Sequence, residues 1–234
     1  MGKRPHVVYC KEKMRYKRQE VLEEIGVEGQ RKLKAGKVVV VGLGALGTVT
    51  AQLLVRAGVQ VTLIDHDVVD LVNLQRQLLY DENDVGKKKV VVCKEKLDSV
   101  NSEVEINVDN LLLSEENSDV LNGFDIILDC TDNMRTRHVI NNHCMSTGQV
   151  WIYAAGSTTK GNVLVVDNPK KFKTFFRSGE TFDKCSEVGV LNSLTTIIAG
   201  LQTTEALKIL LGQEYSKSLI RFDIWKNRYD LIKL

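Results

Sequence analysis

Residues 37–65, KVVVVGLGALGTVTAQLLVRAGVQVTLID, constrain the fold more than any other stretch of this chain. KVVVVG is a continuous β-branched run ending in glycine, the mark of a strand buried on both faces in a parallel sheet. GTVTAQLLVRAG reads as a helix closed by Gly58, and VQVTLID (59–65) as a second strand. A strand, a crossover helix and a second strand parallel to the first form a right-handed unit, which commits the region to an α/β sheet. Between the first strand and the helix, Gly42, Gly44 and Gly47 make G-x-G-x-x-G. The first glycine permits a tight turn, the second lets a phosphate approach the backbone, and the third lets helix and strand pack closely. The free N–H groups at the helix start would then hold the phosphate. The context predicts nucleotide binding, against the plainer reading of a structural glycine turn.

The remainder of the chain continues the alternation. Residues 13–35 carry charge at most positions, with Val21, Leu22 and Ile25 at helical spacing and Gly26 as a stop, so one or two short helices precede the sheet. Val90, Cys93, Leu97 and Val100 recur at helical intervals in 87–100; EVEIN (103–107) and FDIILDCTDN (124–133) read as strands three and four. VWIYAAG and NVLVVD follow as strands, then a polar, loop-like stretch from Asn168 to Ser186, a helix over 190–211, and two strand-like runs, LIRFDI and RYDLIKL. This order predicts a Rossmann-like α/β fold, its sheet mainly parallel with helices on both faces, extended by mixed or antiparallel C-terminal strands. The length of 234 residues suits one domain, with an N-terminal helical segment (1–36), a nucleotide-binding core (37–150) and a substrate-side portion (151–234).

Composition excludes several classes. The 32 basic and 30 acidic residues nearly balance, so nothing favours a nucleic-acid partner, and Lys87 and Lys88 read as solvated charges. No run is long and apolar enough for a signal peptide or a membrane span; GVLNSLTTIIAGLQTT is too short and too polar. Five cysteines, Cys10, Cys93, Cys130, Cys144 and Cys185, never spaced C-x-x-C, suit a reducing cytoplasm without a disulfide framework. His138 and His143 lack metal-ligand spacing even with Cys144 nearby.

The block after the second strand, DHDVVDLVNLQRQ, turns the reading away from a dinucleotide oxidoreductase. Asp65 stands where a ribose-binding carboxylate is expected. Asp67, Asn73, Arg76 and Gln77 then make a polar group beside Val68, Val69, Leu71 and Leu74, which would anchor the segment. Hydride transfer needs no fixed guanidinium here, whereas attack on a nucleoside triphosphate does. VGKKK adds a cation at Lys89, and LDCTDN places Asp132 beyond the fourth strand, where open α/β sheets bind ligands. A carboxylate beside a triphosphate is a natural magnesium ligand; the same Asp132 could also cap a helix starting near Asn133.

With these pieces in this order the chain resembles the ThiF/MoeB/HesA adenylyltransferases, relatives of ubiquitin-activating enzymes. The likeness runs from RYKRQ (15–19) through VGLGALG, DHDVVDLVNLQRQ, VGKKK and LDCTDNMRTRHVIN to CSEVGVLNSLTTIIAGLQTTEALKILLG (185–212). It implies an ATP- and Mg-dependent reaction in which a carboxylate attacks the α-phosphate, pyrophosphate leaves and an acyl adenylate remains. By the same resemblance Asp65 would meet the adenosine ribose, with Gly42, Gly44, Gly47, Asp67 and Asn133 also on the nucleotide. Asn73, Arg76, Gln77 and Lys89 would face the triphosphate, and Asp132 the magnesium. Arg18 would reach the phosphates of a partner subunit in a homodimer, the plainer alternative being a helix-surface charge. Cys185 matches a cysteine that some members use for sulfur or thioester chemistry, or is an incidental loop residue. Cys10, Cys93, Cys130 and Cys144 read as packing residues.

Many bacterial relatives carry two C-x-x-C pairs holding a structural zinc, whereas the corresponding stretches here read FKTFFRSGETFDKC and DIWKNRYDLIKL, so no zinc is expected. Two substrates therefore stay open. One is the C-terminal glycine of a ubiquitin-like sulfur carrier, with sulfur delivered by a separate thiol or sulfur-transfer protein. The other is a small-molecule carboxylate, as in the relative that adenylates the guanylylpyridinol precursor of the [Fe]-hydrogenase cofactor. A non-catalytic nucleotide-binding scaffold is the reading from another class.

Overall fold

Val38, Val39, Val40 and Val41 are all buried, because the strand they form is covered by helices on both faces. The computed structural model describes residues 15–177 and 189–234. Two helices, α1 (Lys17–Glu20) and α2 (Gly26–Ala35), precede β1 (Lys37–Val41), α3 (Gly47–Ala57) and β2 (Gln60–Ile64). Then come α4 (Lys89–Val100), β3 (Ile106–Asp109), β4 (Ile126–Asp129), α5 (Met134–Thr147), β5 (Val150–Ser157) and β6 (Lys160–Val166). The last elements are α6 (Pro169–Arg177), α7 (Asn192–Leu211), β7 (Leu219–Asp223) and β8 (Arg228–Ile232). The eight strands form one sheet in the order β3-β2-β1-β4-β5-β6-β7-β8. Pairing is parallel from β3 to β5 and antiparallel from β5 to β8, as the sequence led us to expect.

The strand residues divide strictly between two cores. Val38, Val40, Leu63, Leu128, Ile152 and Val165 face one, which α3, α4 and α7 close with Leu54, Leu97 and Ile198. Val39, Val41, Ile64, Ile127, Trp151 and Tyr153 face the other, closed by Val139, Ile140, Phe172 and Phe175 from α5 and α6. Contrary to the expectation from the sequence, helix α7 with its 20 residues is long and apolar enough, by length and composition, to cross a membrane, yet half of it is buried inside the fold. Its apolar character is explained by packing on β5 and β6.

Four local expectations are corrected. Gly26 does not stop a helix; at φ +61° it opens α2, and Val21 and Leu22 lie exposed in the turn before it. Strand three begins at Ile106 rather than Glu103, because Val104 N–H turns back to the Asn101 carbonyl at 3.3 Å. The stretch after Asn168 is not all loop: Pro169 starts α6, and Phe172 and Phe175, spaced by three, seat its apolar stripe on Trp151 and Tyr153. Among the residues expected to anchor the block after β2, Val69 is buried and Leu74 half-buried, but Val68 and Leu71 are exposed. Val69 is held by backbone bonds to Gly86 and Lys87, and the chain then turns outward into a short 3-10 turn, Leu71–Asn73.

Candidate functional site

The carboxyl ends of β1, β2, β4 and β5 open into a cleft of about 240 Å³. Gly42 and Gly44 line it with Asp65 and Asp67; Asn73, Arg76, Gln77 and Lys89 reach it from the segments after β2, and Asp132 and Asn133 from the loop after β4. Ten of the sequence-predicted positions thus converge from segments far apart in the chain. Gly47 does not line the cleft. A Cβ there would stand 1.8 Å from the Gly42 carbonyl oxygen, so this glycine lets α3 start directly against the turn. A Cβ on Gly42 would meet the Cys130 carbonyl at 2.9 Å, and Gly42 sits at φ +92°, open to glycine at little cost. The glycine turn and the loop after β4 are therefore in contact along their backbones.

Asp65 ties these segments together. Its Oδ2 accepts the Leu43 N–H at 2.6 Å and its Oδ1 the Asp67 N–H at 2.7 Å. Each carboxylate oxygen has a second lone pair for a ligand. Asp67 in turn accepts from Lys89 Nζ at 2.9 Å. Lys89 opens α4 and its side chain is only 6% exposed, so its charge is fixed where the cleft needs it. Arg76 donates to the Val72 carbonyl and to Asn73 Oδ1, both neutral acceptors, and has no carboxylate partner among the described residues. An uncompensated guanidinium lining a cleft attracts anions. Gln77 Oε1 is buried and accepts no hydrogen bond within the described protein. Such an orphan acceptor suits a ligand that brings hydroxyl or amino donors as well as phosphates.

After β4, Asn133 rather than Asp132 caps α5: its Oδ1 accepts the Thr136 N–H at 2.9 Å. That leaves Asp132 exposed, with no hydrogen bond or ion pair among the described residues. A free carboxylate lining the same cleft as Arg76 and Lys89 has the donor chemistry for magnesium, which takes one or two carboxylates and completes its shell with phosphate oxygens and water. Asp65, His66 and Asp67 also bring ligand atoms within 4.8 Å of one another, with His66 and Asp67 exposed.

Three residues that sequence reasoning passed over hold this geometry. Tyr80 donates to the Leu43 carbonyl at 3.0 Å and contacts Cys93 Sγ at 3.4 Å, pinning the glycine turn from behind; burial pushes its phenol far above the usual range. Gln202 on α7 donates to the Asp129 and Ile152 carbonyls at 2.9 and 3.0 Å and accepts from Thr50 and Cys130. Its amide thereby joins α3, β4, β5 and α7 at one point. Arg137 on α5 lines the cleft and pairs with the fully buried Asp129 at 2.9 Å. Burial pushes the Asp129 carboxyl up, against the pull of Arg137 and Thr131. Burial likewise opposes the charge of Arg137, but Asp129, together with Tyr153 and Asp132, more than offsets it, so the guanidinium keeps its proton more firmly than usual. A lone arginine in an RTRHVIN helix gives no pattern to read; its partner emerges only when β4 and α5 pack.

Cys93, Cys130 and Cys144 are buried, free thiols, in line with packing roles. Arg18 lies exposed on α1 and does not line the cleft of its own chain. Cys10 and Cys185 lie outside the described residues.

The ThiF family profile matches residues 16–234. The chain is 35% identical over 229 residues to "Adenylyltransferase and sulfurtransferase MOCS3" of Culex quinquefasciatus, covering 94% of this chain and 52% of that protein. It is 36% identical over 220 residues to "Sulfur carrier protein ThiS adenylyltransferase" of Bacillus subtilis (strain 168), covering 91% of this chain and 66% of that one. The chain thus spans about half the length of the MOCS3 relatives it matches. Among solved structures, E. coli MccB crystallised with ATP superposes with a TM-score of 0.79 at 22% identity, over 94% of this chain and 71% of that chain. PaaA superposes with a TM-score of 0.78 at 22% identity, over 100% and 77%. Those two likenesses concern the fold. From the profile and the relatives above 30% identity together, the chain belongs to the ThiF family.

Proposed function

We propose that this chain uses Mg·ATP to adenylate a carboxylate, forming an acyl adenylate and releasing pyrophosphate. The observation that carries the reading is the convergence, in one cleft, of a phosphate-cradling glycine turn, the fixed cations Arg76 and Lys89, and the free carboxylate of Asp132. Both reactants are anions, so the barrier is lowered by screening their charge and holding them in line. Asp65 and the Gly42–Gly44 turn would seat the adenosine and its α-phosphate. Arg76, Lys89, Asn73 and Gln77 would hold the triphosphate oxygens. Bound at Asp132, magnesium would supply charge stabilisation on the phosphates. An oxygen of the acyl substrate attacks the α-phosphorus as the bond to the β-phosphate oxygen breaks, and the electron pair leaves on pyrophosphate.

For the acyl substrate we favour the C-terminal glycine of a ubiquitin-like sulfur carrier. Two observations support this: one relative is named for the sulfur carrier ThiS, and the cleft lining includes the uncharged residues Ala155, Gly156, Val190 and Thr195, which suit an unbranched chain terminus. The lack of any C-x-x-C pair in the sequence keeps a small-molecule carboxylate, the guanylylpyridinol type, as the second reading. We further propose that the chain works as one adenylation domain without zinc, in a reducing cytoplasm, and as a homodimer. Arg18 would complete the partner's cleft, and the exposed Leu71 and Val72, 62% and 69% accessible beside Arg76, would lie at the shared surface. Cys185 would then serve a later sulfur or thioester step.

The test is ATP–pyrophosphate exchange with purified ubiquitin-fold proteins ending in Gly-Gly, and in parallel with small carboxylates including guanylylpyridinol. Exchange with a carrier alone supports the first reading. Exchange with a small molecule alone replaces it with the second, and makes Cys185 an incidental residue.

A further inference from the structure

Arg137 is a cleft-lining cation that none of the roles above uses. Its surroundings form a closed set of bonds around the loop after β4. Asp129 Oδ1 accepts the Thr131 N–H at 3.0 Å and the Thr131 hydroxyl at 2.6 Å, while Asp129 Oδ2 accepts Arg137 Nε at 2.9 Å. Arg137 Nη2 then reaches past the carboxylate to the Thr131 carbonyl at 2.6 Å. The guanidinium lies 5.0 Å from the centre of the Tyr153 ring, which covers its flat face. Gln202 fixes the same loop from the other core by its bond to the Asp129 carbonyl at 2.9 Å.

The next residue in the chain is Asp132. Its own side chain makes no bond among the described residues, yet the peptide before it is held by Arg137 and the residue after it is held as the α5 cap. A free carboxylate on an immobilised backbone is the arrangement that preorganises a ligand group. A buried ion pair is a poor way to gain stability, because desolvation of both charges offsets their attraction, and apolar side chains of similar volume do as well or better. Beside a ligand cleft, the pair's effect on loop geometry is the more economical reason for it.

We infer that Arg137 is a positioning residue: through Asp129 and the Thr131 carbonyl it fixes the Thr131–Asp132 peptide and so aims the Asp132 carboxylate at the metal bound with the nucleotide. The role rests on the reading of Asp132 as the magnesium-side carboxylate. It differs from that of Arg76 and Lys89, because Arg137 acts on the protein backbone and not on the phosphates. Lysine cannot replace it, since one ammonium lacks the planar fork that bonds the carboxylate and the carbonyl together.

The experiment is calorimetric binding of α,β-methylene-ATP to the whole chain, with magnesium and with EDTA, requiring no acyl substrate and no turnover. Two variants are compared with wild type: R137K, and the neutral pair D129N/R137Q, which leaves no buried charge without a partner. Magnesium is expected to strengthen binding to wild type, and both variants are expected to lose at least about tenfold of that gain. Their affinity for the metal-free nucleotide should stay within about twofold of wild type, since the Asp65 and Tyr80 bonds that hold the glycine turn, and Arg76 and Lys89, are unchanged. Loss of metal-free binding in step with the magnesium effect, or a magnesium gain equal to wild type in either folded variant, overturns the role of Arg137. If one variant fails to fold, the other decides. A wild-type chain that binds the nucleotide equally with magnesium and with EDTA overturns the reading of Asp132 itself, and the proposal falls with it.

Discussion

Lys89 Nζ lies 2.9 Å from Asp67 Oδ2, with the lysine almost fully enclosed and the carboxylate half open to water. The asymmetry makes the two residues unequal in function. Lys89→Ala removes a preorganised charge from the cleft and is expected to reduce ATP–pyrophosphate exchange by about 10²–10³-fold. Asp67→Asn leaves the lysine in place and keeps a neutral amide oxygen for its ammonium to bond. Its expected effect is a modest rise in KM for ATP with kcat largely kept. Steady-state exchange kinetics on both variants check this, and an Asp67 variant as inactive as the Lys89 variant would reverse the assignment.

Gly44 and Gly47 belong to one motif but should fail differently. A methyl group at Gly47 collides with the Gly42 carbonyl, a backbone atom that cannot step aside, so Gly47→Ala should yield little folded protein. At Gly44 the nearest atom to an added Cβ is Gln77 Nε2 at 3.7 Å, an ordinary contact. Gly44→Ala should therefore keep its stability within about 0.5 kcal/mol while losing nucleotide affinity, because the methyl occupies space that a phosphate needs. Thermal melts paired with ATP titrations separate the two outcomes. A Gly44→Ala chain that binds ATP as well as wild type would move the phosphate away from this turn.

Burial pushes the thiols of Cys93 and Cys144 up to about 12, and that of Cys130 up as well. All three are thus protonated and shielded at neutral pH. Treating the native chain with a maleimide at pH 7.5 should leave them unmodified, with any labelling confined to Cys10 or Cys185, while denaturation exposes all five cysteines. Peptide mass spectrometry reads the result; rapid native modification of Cys130 would mean that the contact between the glycine turn and the loop after β4 opens readily.

Asp167 is held at about 2: burial raises it, but hydrogen bonds from Lys171, Lys217 and Tyr215 outweigh that and lower it. Its folded value lies below the ordinary 3.8, so it contributes stability above that ordinary value and loses it as pH falls from 3.8 through about 2. Asp167→Asn should be less stable than wild type at pH 7, and the gap should narrow toward pH 2. Urea midpoints across that range measure it, and a constant gap would exclude the linkage.

What could be read from the sequence follows from how local each signal is. The valine run of β1, the glycine turn and the helix closed by Gly58 are dictated by neighbouring residues, and they stand where expected. The polar block after β2 could be read as a site because its residue types suit phosphate, although Leu71 and Val68 proved to be surface rather than anchors. Helix α6 was hidden by its lysines, since among its described side chains Phe172 and Phe175 are the fully buried ones. Arg137, Gln202 and Tyr80 were out of reach for another reason. Each earns its place through partners on other elements, Asp129, Thr50 and Leu43 among them, and no spacing within the sequence records those meetings.

The most direct measurement of the central proposal is transfer of label from pyrophosphate into ATP, in wild type and Arg76→Ala, with and without an acyl substrate carrying a free carboxylate. Carboxylate adenylation requires exchange that depends on the carboxylate and on magnesium, and that disappears in Arg76→Ala while the melting curve stays in place. Release of inorganic phosphate in place of exchange, or exchange undiminished in Arg76→Ala, would contradict it.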